Sequence, residues 1–258
     1  MAPPGTGRSW HRDGDDAELV GGSLVVHYQP VVELTSRKVH LVEALARLDV
    51  DGVLLAPEHW VPAAEHSGTI DELGCRVLRR AAADVLGTDG DGTAGSVLGV
   101  SVNVAPRQLH GPSLLDCVAQ LAADGAAVER LCLEITESAV VEDACAMETV
   151  HALRSLGCRI AMDDFGTGYS SLHALSELPL DVLKVDRRLV ARLPGPKARA
   201  VLAFVVDLAG ALGLEVVAEG VETPAQLDAL LELGYRLGQG YLLGAPAPLA
   251  SAARHRCG

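Results

Sequence analysis

The residues that could do chemistry in this chain are acids, scattered through the sequence but alike in setting. Glu43, Glu134, Asp163 and Glu219, together with Asn103 and Lys184, each stand near the C-terminal end of a short apolar run. Strand side chains alternate between two faces, so parity says which residues share a side. In LCLEITE, Leu131, Leu133 and Ile135 take one face and Cys132, Glu134 and Thr136 the other. The same alternation sets Asn103 apart from Val100 and Val102, and Asp163 apart from Ile160 and Met162. It sets Lys184 and Asp186 apart from Leu183 and Val185, and Glu219 apart from Val216 and Ala218; on VEALAR, Glu43 and Arg47 share a side. Two unit charges about 4 Å apart repel by roughly 4 kcal/mol at an effective dielectric near 20. Carboxylates gathered at one mouth therefore need protons or cations among them. An all-oxygen donor set with neither Cys nor His at ligand spacing favours hard ions such as Mg²⁺ or Mn²⁺. Asp163 followed at once by Asp164 suits two ions about 3.5–4 Å apart, an arrangement that cleaves phosphate esters.

The elements that must position these groups are strands alternating with helices. Strand-like runs fall at 23–34, 39–48, 96–105, 130–137, 158–166, 181–186, 214–221 and 236–244. Helical spacing in Ala200–Leu212 involves Val201, Phe204, Val205, Leu208 and Leu212, with Gly213 suited to a left-handed cap. In TPAQLDALLELG, Thr223 fits an N-cap, Pro224 the first helical position, Gln226 the capping-box partner and Gly234 the stop. Such alternation implies a mostly parallel sheet, and eight strands predict an α/β fold of the (β/α)8 TIM-like barrel class. The TSRK connection after the first strand is too short for a parallel crossover, so that strand is expected to be antiparallel. A doubly wound sheet is the alternative fold, but its glycine-rich dinucleotide fingerprint is missing.

Composition narrows the function. Hydrophobic residues make up 49% of the 258, yet no apolar run nears the roughly 20 needed to span a bilayer. The first 20 residues, rich in Pro, Gly and Asp, read as a tail or linker, leaving 21–258 as one domain. They lack a secretory signal, so the expectation is a soluble, cytoplasmic chain without membrane contact. A net charge of −13 with no basic cluster argues against long nucleic acid as a partner. The six cysteines form no CxxC pair and are expected as reduced, mostly buried hydrophobes. His27, His151 and His173 are expected in the core or on the surface.

With these residues in hand, the sequence resembles the EAL-domain family of cyclic di-GMP phosphodiesterases, whose name is spelled by Glu43-Ala44-Leu45. The likeness runs from about Leu24 to Pro246. It includes YQPVVEL, EALAR, PEHWVPAAEHSG, SVNVAPRQL, LEITES, DDFGTGYSSL, LKVD, VVAEGVET and GQGYLLGAP, in the family's order. Ala46 and Leu243 depart from its commoner residues and look like packing changes.

The resemblance implies hydrolysis of cyclic di-GMP to the linear dinucleotide pGpG by a metal-activated water, with a pair of Mg²⁺ or Mn²⁺ ions. By the same resemblance, Glu43, Asn103, Glu134 and Asp163 hold one ion, and Asp163, Asp164 and Glu219 the other. Lys184 orients the water and offsets phosphate charge, while Glu219 is read either as general base or as metal ligand. Gln29 and Arg47 contact the dinucleotide, and Asp186, Glu222 and Gln239 stand at the same rim. Glu137 anchors the loop DFGTGYSSL. The resemblance also allows a homodimer formed near the loop after Asp164. The alternative function is a non-catalytic cyclic di-GMP receptor that acts through a protein partner.

Overall fold

A computed structural model of the chain describes residues 22–86, 99–140, 143–166, 175 and 177–253. The expected N-terminal tail and most of the DFGTGYSSL loop, with the dimer contact expected near it, lie outside these residues.

The barrel closes with eight strands: β1 (Ser23–Glu33), β2 (Val39–Val50), β4 (Val100–Asn103), β5 (Leu131–Thr136), β6 (Arg159–Phe165), β7 (Val182–Val185), β8 (Glu215–Ala218) and β9 (Leu237–Gly238). From β2 round to β9 the neighbours are parallel, and β1 joins β9 to β2 by pairing antiparallel with both. The expected antiparallel first strand is thus where the short connection requires it. One strand escaped the sequence reading: β3 (Val53–Leu55) folds back on β2 as a hairpin. Its turn is Asp51-Gly52, with φ of 52° and 84°, the two-residue turn that Asp-Gly favours.

Two apolar layers follow from strand parity. Leu131, Leu133, Ile135, Ile160, Met162, Leu183 and Val185 point outward into the main core, which helices cover. On the inner face, Val31, Leu41, Cys132, Ala161, Val182, Val217 and Leu237 form a separate cluster. That inner cluster is a floor, so the barrel is a filled core rather than a pore. Burying each aliphatic side chain of this kind contributes about 1.5–3 kcal/mol.

Two helices show where local signals sufficed and where they did not. α7 (Pro224–Glu232) starts on the expected capping box, with the Thr223 side chain accepting from the Gln226 N–H. α6 (Pro196–Leu212) ends at Gly213, whose φ is 72°. Its buried stripe is Ala198, Leu202, Val205 and Ala209, and the apolar residues Val201, Phe204 and Leu212 are exposed. The small side chains at both ends of the stripe let the helix lie close on the sheet, turning the bulkier set outward. The remaining helices relevant below are α1 (Val61–Ser67), α2 (Ile70–Ala81), α3 (Ser113–Ala123), α4 (Ala144–Ser155) and α5 (Arg187–Val190).

Candidate active site

The polar residues sit one layer above the apolar floor, two positions along each strand. Leu41 leads to Glu43, Cys132 to Glu134, Ala161 to Asp163, Val182 to Lys184, Val217 to Glu219 and Leu237 to Gln239. Val31 leads to Gln29 in the reverse direction, because β1 runs the other way. Position two along a pleated strand always returns to the same face, so the floor fixes the ring above it.

At the centre of that ring is Lys184, only 2% exposed. Its Nζ lies 2.7 Å from Glu134 Oε2, 2.7 Å from Glu219 Oε1, 3.4 Å from Asp163 Oδ1 and 3.6 Å from Glu43 Oε2. One ammonium therefore faces four carboxylates. Amides complete the wall: Asn103 Nδ2 donates to Glu43 Oε1 at 2.7 Å, and Gln239 Nε2 donates to Glu43 Oε2 at 2.6 Å. Gln239 Nε2 also reaches Gln29 Oε1 at 3.2 Å, and Gln29 Nε2 donates to the Gly244 carbonyl at 3.0 Å. Gln239 is held there by the turn behind it. A Cβ on Gly240 would stand 2.3 Å from the Val221 backbone, so only glycine permits this approach.

Consecutive strand residues point to opposite faces, yet Asp164 joins Asp163. The register between β6 and β7 breaks after Met162, and Asp164 adopts a left-handed φ of 55°. Its N–H donates to Asp163 Oδ1 at 2.9 Å, which ties the two consecutive acids together at the turn. The result is a group of three, Asp163, Asp164 and Glu219, each offering a carboxylate oxygen within 4.8 Å of the others. Asp186 is buried behind Asp164; it caps α5 by accepting from the Arg188 N–H at 2.8 Å and shares a hydrogen bond with Asp164.

Crowding shifts these groups in different directions. Burial raises Glu134 well above the ordinary carboxylate range, helped by the charge on Glu43, and Lys184 offsets only part of this. Burial also acts on Glu43, but the Lys184 ammonium and the amides of Gln239 and Asn103 outweigh it and hold Glu43 low. Glu219 is pushed up to about 7 by burial, with Asp163 and Glu43 adding to the rise against Lys184. Asp164 is raised by burial, then by Asp163 and Asp186. Burial would lower Lys184, but Glu134, Glu219, Glu43 and Asp163 together raise it far above its usual value.

The other expected residues lie further out. Arg47 is half-buried on the inner face of β2, its Nη1 donating to the Ala46 carbonyl at 2.8 Å. Glu222 is exposed before α7, its N–H donating to Gln226 Oε1 at 2.8 Å. Glu137 is half-buried and opens the turn that follows β5; the part of its expected loop from 167 to 174 lies outside the described residues. The expectation for His27 is a place in the core or on the surface. His27 is on the inner face of β1, two positions above Gln29 and opposite Leu45 of the EAL triplet, and feels the charge of Arg47. Parity sets His27 on the same face as Gln29, and because β1 runs antiparallel its N-terminal half faces the mouth.

The family model for the EAL domain matches residues 16–246. The chain belongs to the EAL-domain family. Among relatives of this EAL domain, the cyclic di-GMP phosphodiesterase NbdA of Pseudomonas aeruginosa is 42% identical over 233 residues, which cover 88% of this chain and 29% of NbdA. The structure of the MucR phosphodiesterase in complex with cyclic di-GMP, a protein of the same organism, superimposes with a TM-score of 0.79 at 37% identity, covering 87% of this chain and 92% of that one. The FimX EAL domain of Xanthomonas citri, solved with cyclic di-GMP, gives a TM-score of 0.81 at 25% identity over 94% of each chain. The EAL domain spans between 28% and 32% of the length of three curated relatives that it matches. Among its described residues, no helix is long and apolar enough to cross a membrane.

Proposed function

We propose that this EAL domain hydrolyses cyclic di-GMP to linear pGpG with the help of two divalent cations, Mg²⁺ or Mn²⁺. The observation that carries the reading is the acid ring: four carboxylates on one buried ammonium, with Asp164 beside them. The donor set fits hard cations. Every charged donor is a carboxylate, and the ring keeps an excess of negative charge that Lys184 alone does not balance. Gln239 Oε1 is buried at the same level without a hydrogen-bond partner among the described residues, an acceptor left open beside Glu43. Glu43, Asn103, Glu134 and Asp163 would hold one ion, and Asp163, Asp164 and Glu219 the second. When bound, the ions would supply positive charge for the phosphodiester and acidify the attacking water.

The chain's own residues would do the rest. Lys184 places a fixed positive charge where phosphate oxygens gain negative charge during displacement of the 3′ oxygen, and burial makes that charge count for more than it would in water. Glu219, if it is not a ligand, is poised near neutrality to take the water's proton. Arg47 would grip a phosphate, and Gln29 and Gln239 the dinucleotide next to it. His27 faces the same mouth. His27→Ala is expected to raise KM about 5–30-fold, the loss of roughly 1–2 kcal/mol of a hydrogen bond or stacking contact, while kcat changes less than about twofold. An unchanged KM would place the imidazole outside the bound ligand.

The test of the whole reading is an assay of cyclic di-GMP with the purified chain and Mg²⁺ or Mn²⁺, a chelator control, and identification of the product. Metal-dependent formation of pGpG is the expected result. Tight binding without turnover would make this a receptor domain instead. The metal also leaves a mark on stability. A carboxyl raised from its ordinary value to about 7 stabilises the metal-free fold fully only below about 4.5, and that contribution fades as pH rises through about 7. Cations reverse the cost of the ionised form, so the melting temperature gained on adding Mn²⁺ should be larger at pH 8 than at pH 6. An equal gain at both pH values would remove Glu219 from the ion site.

A further inference from the structure

Away from the barrel mouth, α2 and α3 pack against each other and each carries a cysteine at the contact. Cys75 Sγ donates to the Ser113 carbonyl at 3.4 Å, and Cys117 Sγ donates to the Cys75 carbonyl at 3.7 Å. Cys117 Sγ thus rests on the backbone of Cys75 itself, and Cys75 Sγ on the first turn of the helix that carries Cys117. Both line a groove of about 860 Å³, walled by Ser67, Thr69, Arg79, Arg107, Asp116 and Gln120. Nothing in the proposed hydrolysis uses this pair.

We infer that Cys75 and Cys117 are an oxidisable dithiol, a modification site that a hydroperoxide entering the groove converts into a disulfide between α2 and α3. The two partners are chemically unequal. The neighbouring Cys117 thiol is the main reason that Cys75 is held below the ordinary thiol range, with Arg79 helping against burial. The Cys75 thiol, and then burial, push Cys117 up. A thiol with more thiolate character attacks first, and an adjacent thiol resolves the product. The Cys75 thiolate attacks one peroxide oxygen and the O–O bond breaks. Cys75 becomes a sulfenic acid, and the departing hydroxide takes up the proton that Cys75 gave up. Cys117 Sγ then attacks Cys75 Sγ, the S–O bond breaks, and water leaves with the Cys117 proton. Two thiols lose two electrons, and hydrogen peroxide becomes two waters (an organic hydroperoxide becomes an alcohol and one water).

Other cysteines in the described residues provide the contrast. Cys132 and Cys158 are buried without a thiol partner, and burial raises both, Cys158 up to about 12. Cys145 is exposed but stands apart from this groove. The bridge would also bear on α2 next to Gly74, against whose Cα the Gln108 side chain is packed. Gln108 Oε1 accepts from the Ala105 N–H at 3.0 Å, two residues beyond Asn103.

The experiment treats the reduced full chain with hydrogen peroxide, alkylates the remaining thiols under denaturing conditions, and maps peptides without reduction. The expected result is a cross-linked peptide pair joining Cys75 to Cys117 that vanishes on reduction, with Cys132 and Cys158 alkylated. The oxidised protein should melt at a higher temperature than the reduced one, because the bridge restricts the unfolded chain. In Cys117→Ser the Cys75 sulfenic acid should persist and be captured by dimedone, and in Cys75→Ser no label should appear at Cys117. Cys75 recovered as a free thiol in both the natural protein and Cys117→Ser would overturn the inference, as would a bridge that uses any other cysteine.

Discussion

Glu134→Gln is expected to abolish the proposed hydrolysis and to raise the melting temperature of the metal-free protein at pH 8, whereas Glu43→Gln is expected to abolish the proposed hydrolysis and to lower it. Both residues belong to the proposed first ion site, so either change should cost more than the roughly 10–100-fold that an outer partner of a ligand costs. Stability separates them, because the ring treats the two carboxylates differently. Glu134 is raised well above its ordinary value by burial and by Glu43. Its contribution to the metal-free fold is therefore present below its unfolded value and lost as pH rises toward its raised folded value, so by pH 8 this carboxyl is a burden to the fold. A neutral amide of the same shape removes that burden and still accepts from Lys184. Glu43 is held low by Lys184, Gln239 and Asn103, so its contribution is present above its unfolded value and lost only in acid. Gln at that position offers one acceptor to two amide donors, leaving one unpaired at a cost of about 1–3 kcal/mol. Calorimetry of the two variants without metal at pH 8, beside turnover with Mn²⁺, gives both readings. Two shifts of the same sign would mean that the charges in the ring are not ordered in this way.

That ordering was beyond the sequence, although the ring itself was not. Parity placed Glu43, Glu134, Asp163, Lys184 and Glu219 on one face because a pleated strand returns its side chains every second residue, whatever the tertiary fold. The apolar residue two positions before each acid gives the same information twice: it builds the floor on which the acid stands. Asp164 could not be placed by this rule, since its approach depends on a register break and a left-handed φ that arise where β6 meets β7. On α6, spacing alone admitted more than one apolar stripe, and close packing on the sheet selected the one with small residues. The unequal pKa values depend on tenths of an ångström around Lys184, which no spacing rule contains.

Lys184→Met should separate two roles that the ammonium could fill, counter-ion to the ring and direct participant in the reaction. As counter-ion it holds Glu43, Glu134, Asp163 and Glu219 together while being almost wholly buried. Removing one member of such a buried arrangement costs about 3–5 kcal/mol, which lowers the melting temperature of a domain this size on the order of 10 °C. A lysine raised above its usual value stabilises the fold fully below the unfolded value and loses this only as pH rises through the folded one. Between pH 5.5 and 8 it therefore stays charged, and the pH dependence of the variant comes from the acids it leaves behind. Glu219, pushed up to about 7 by burial, holds a proton more fully at pH 5.5 than at pH 8, so the deficit should deepen as pH rises. Mn²⁺ can replace the missing charge and should restore much of the melting temperature. It cannot replace a fixed ammonium aimed at the phosphate, so turnover should remain about 10²–10³-fold down even at saturating metal. Recovery of both stability and turnover with Mn²⁺ would reduce Lys184 to a counter-ion.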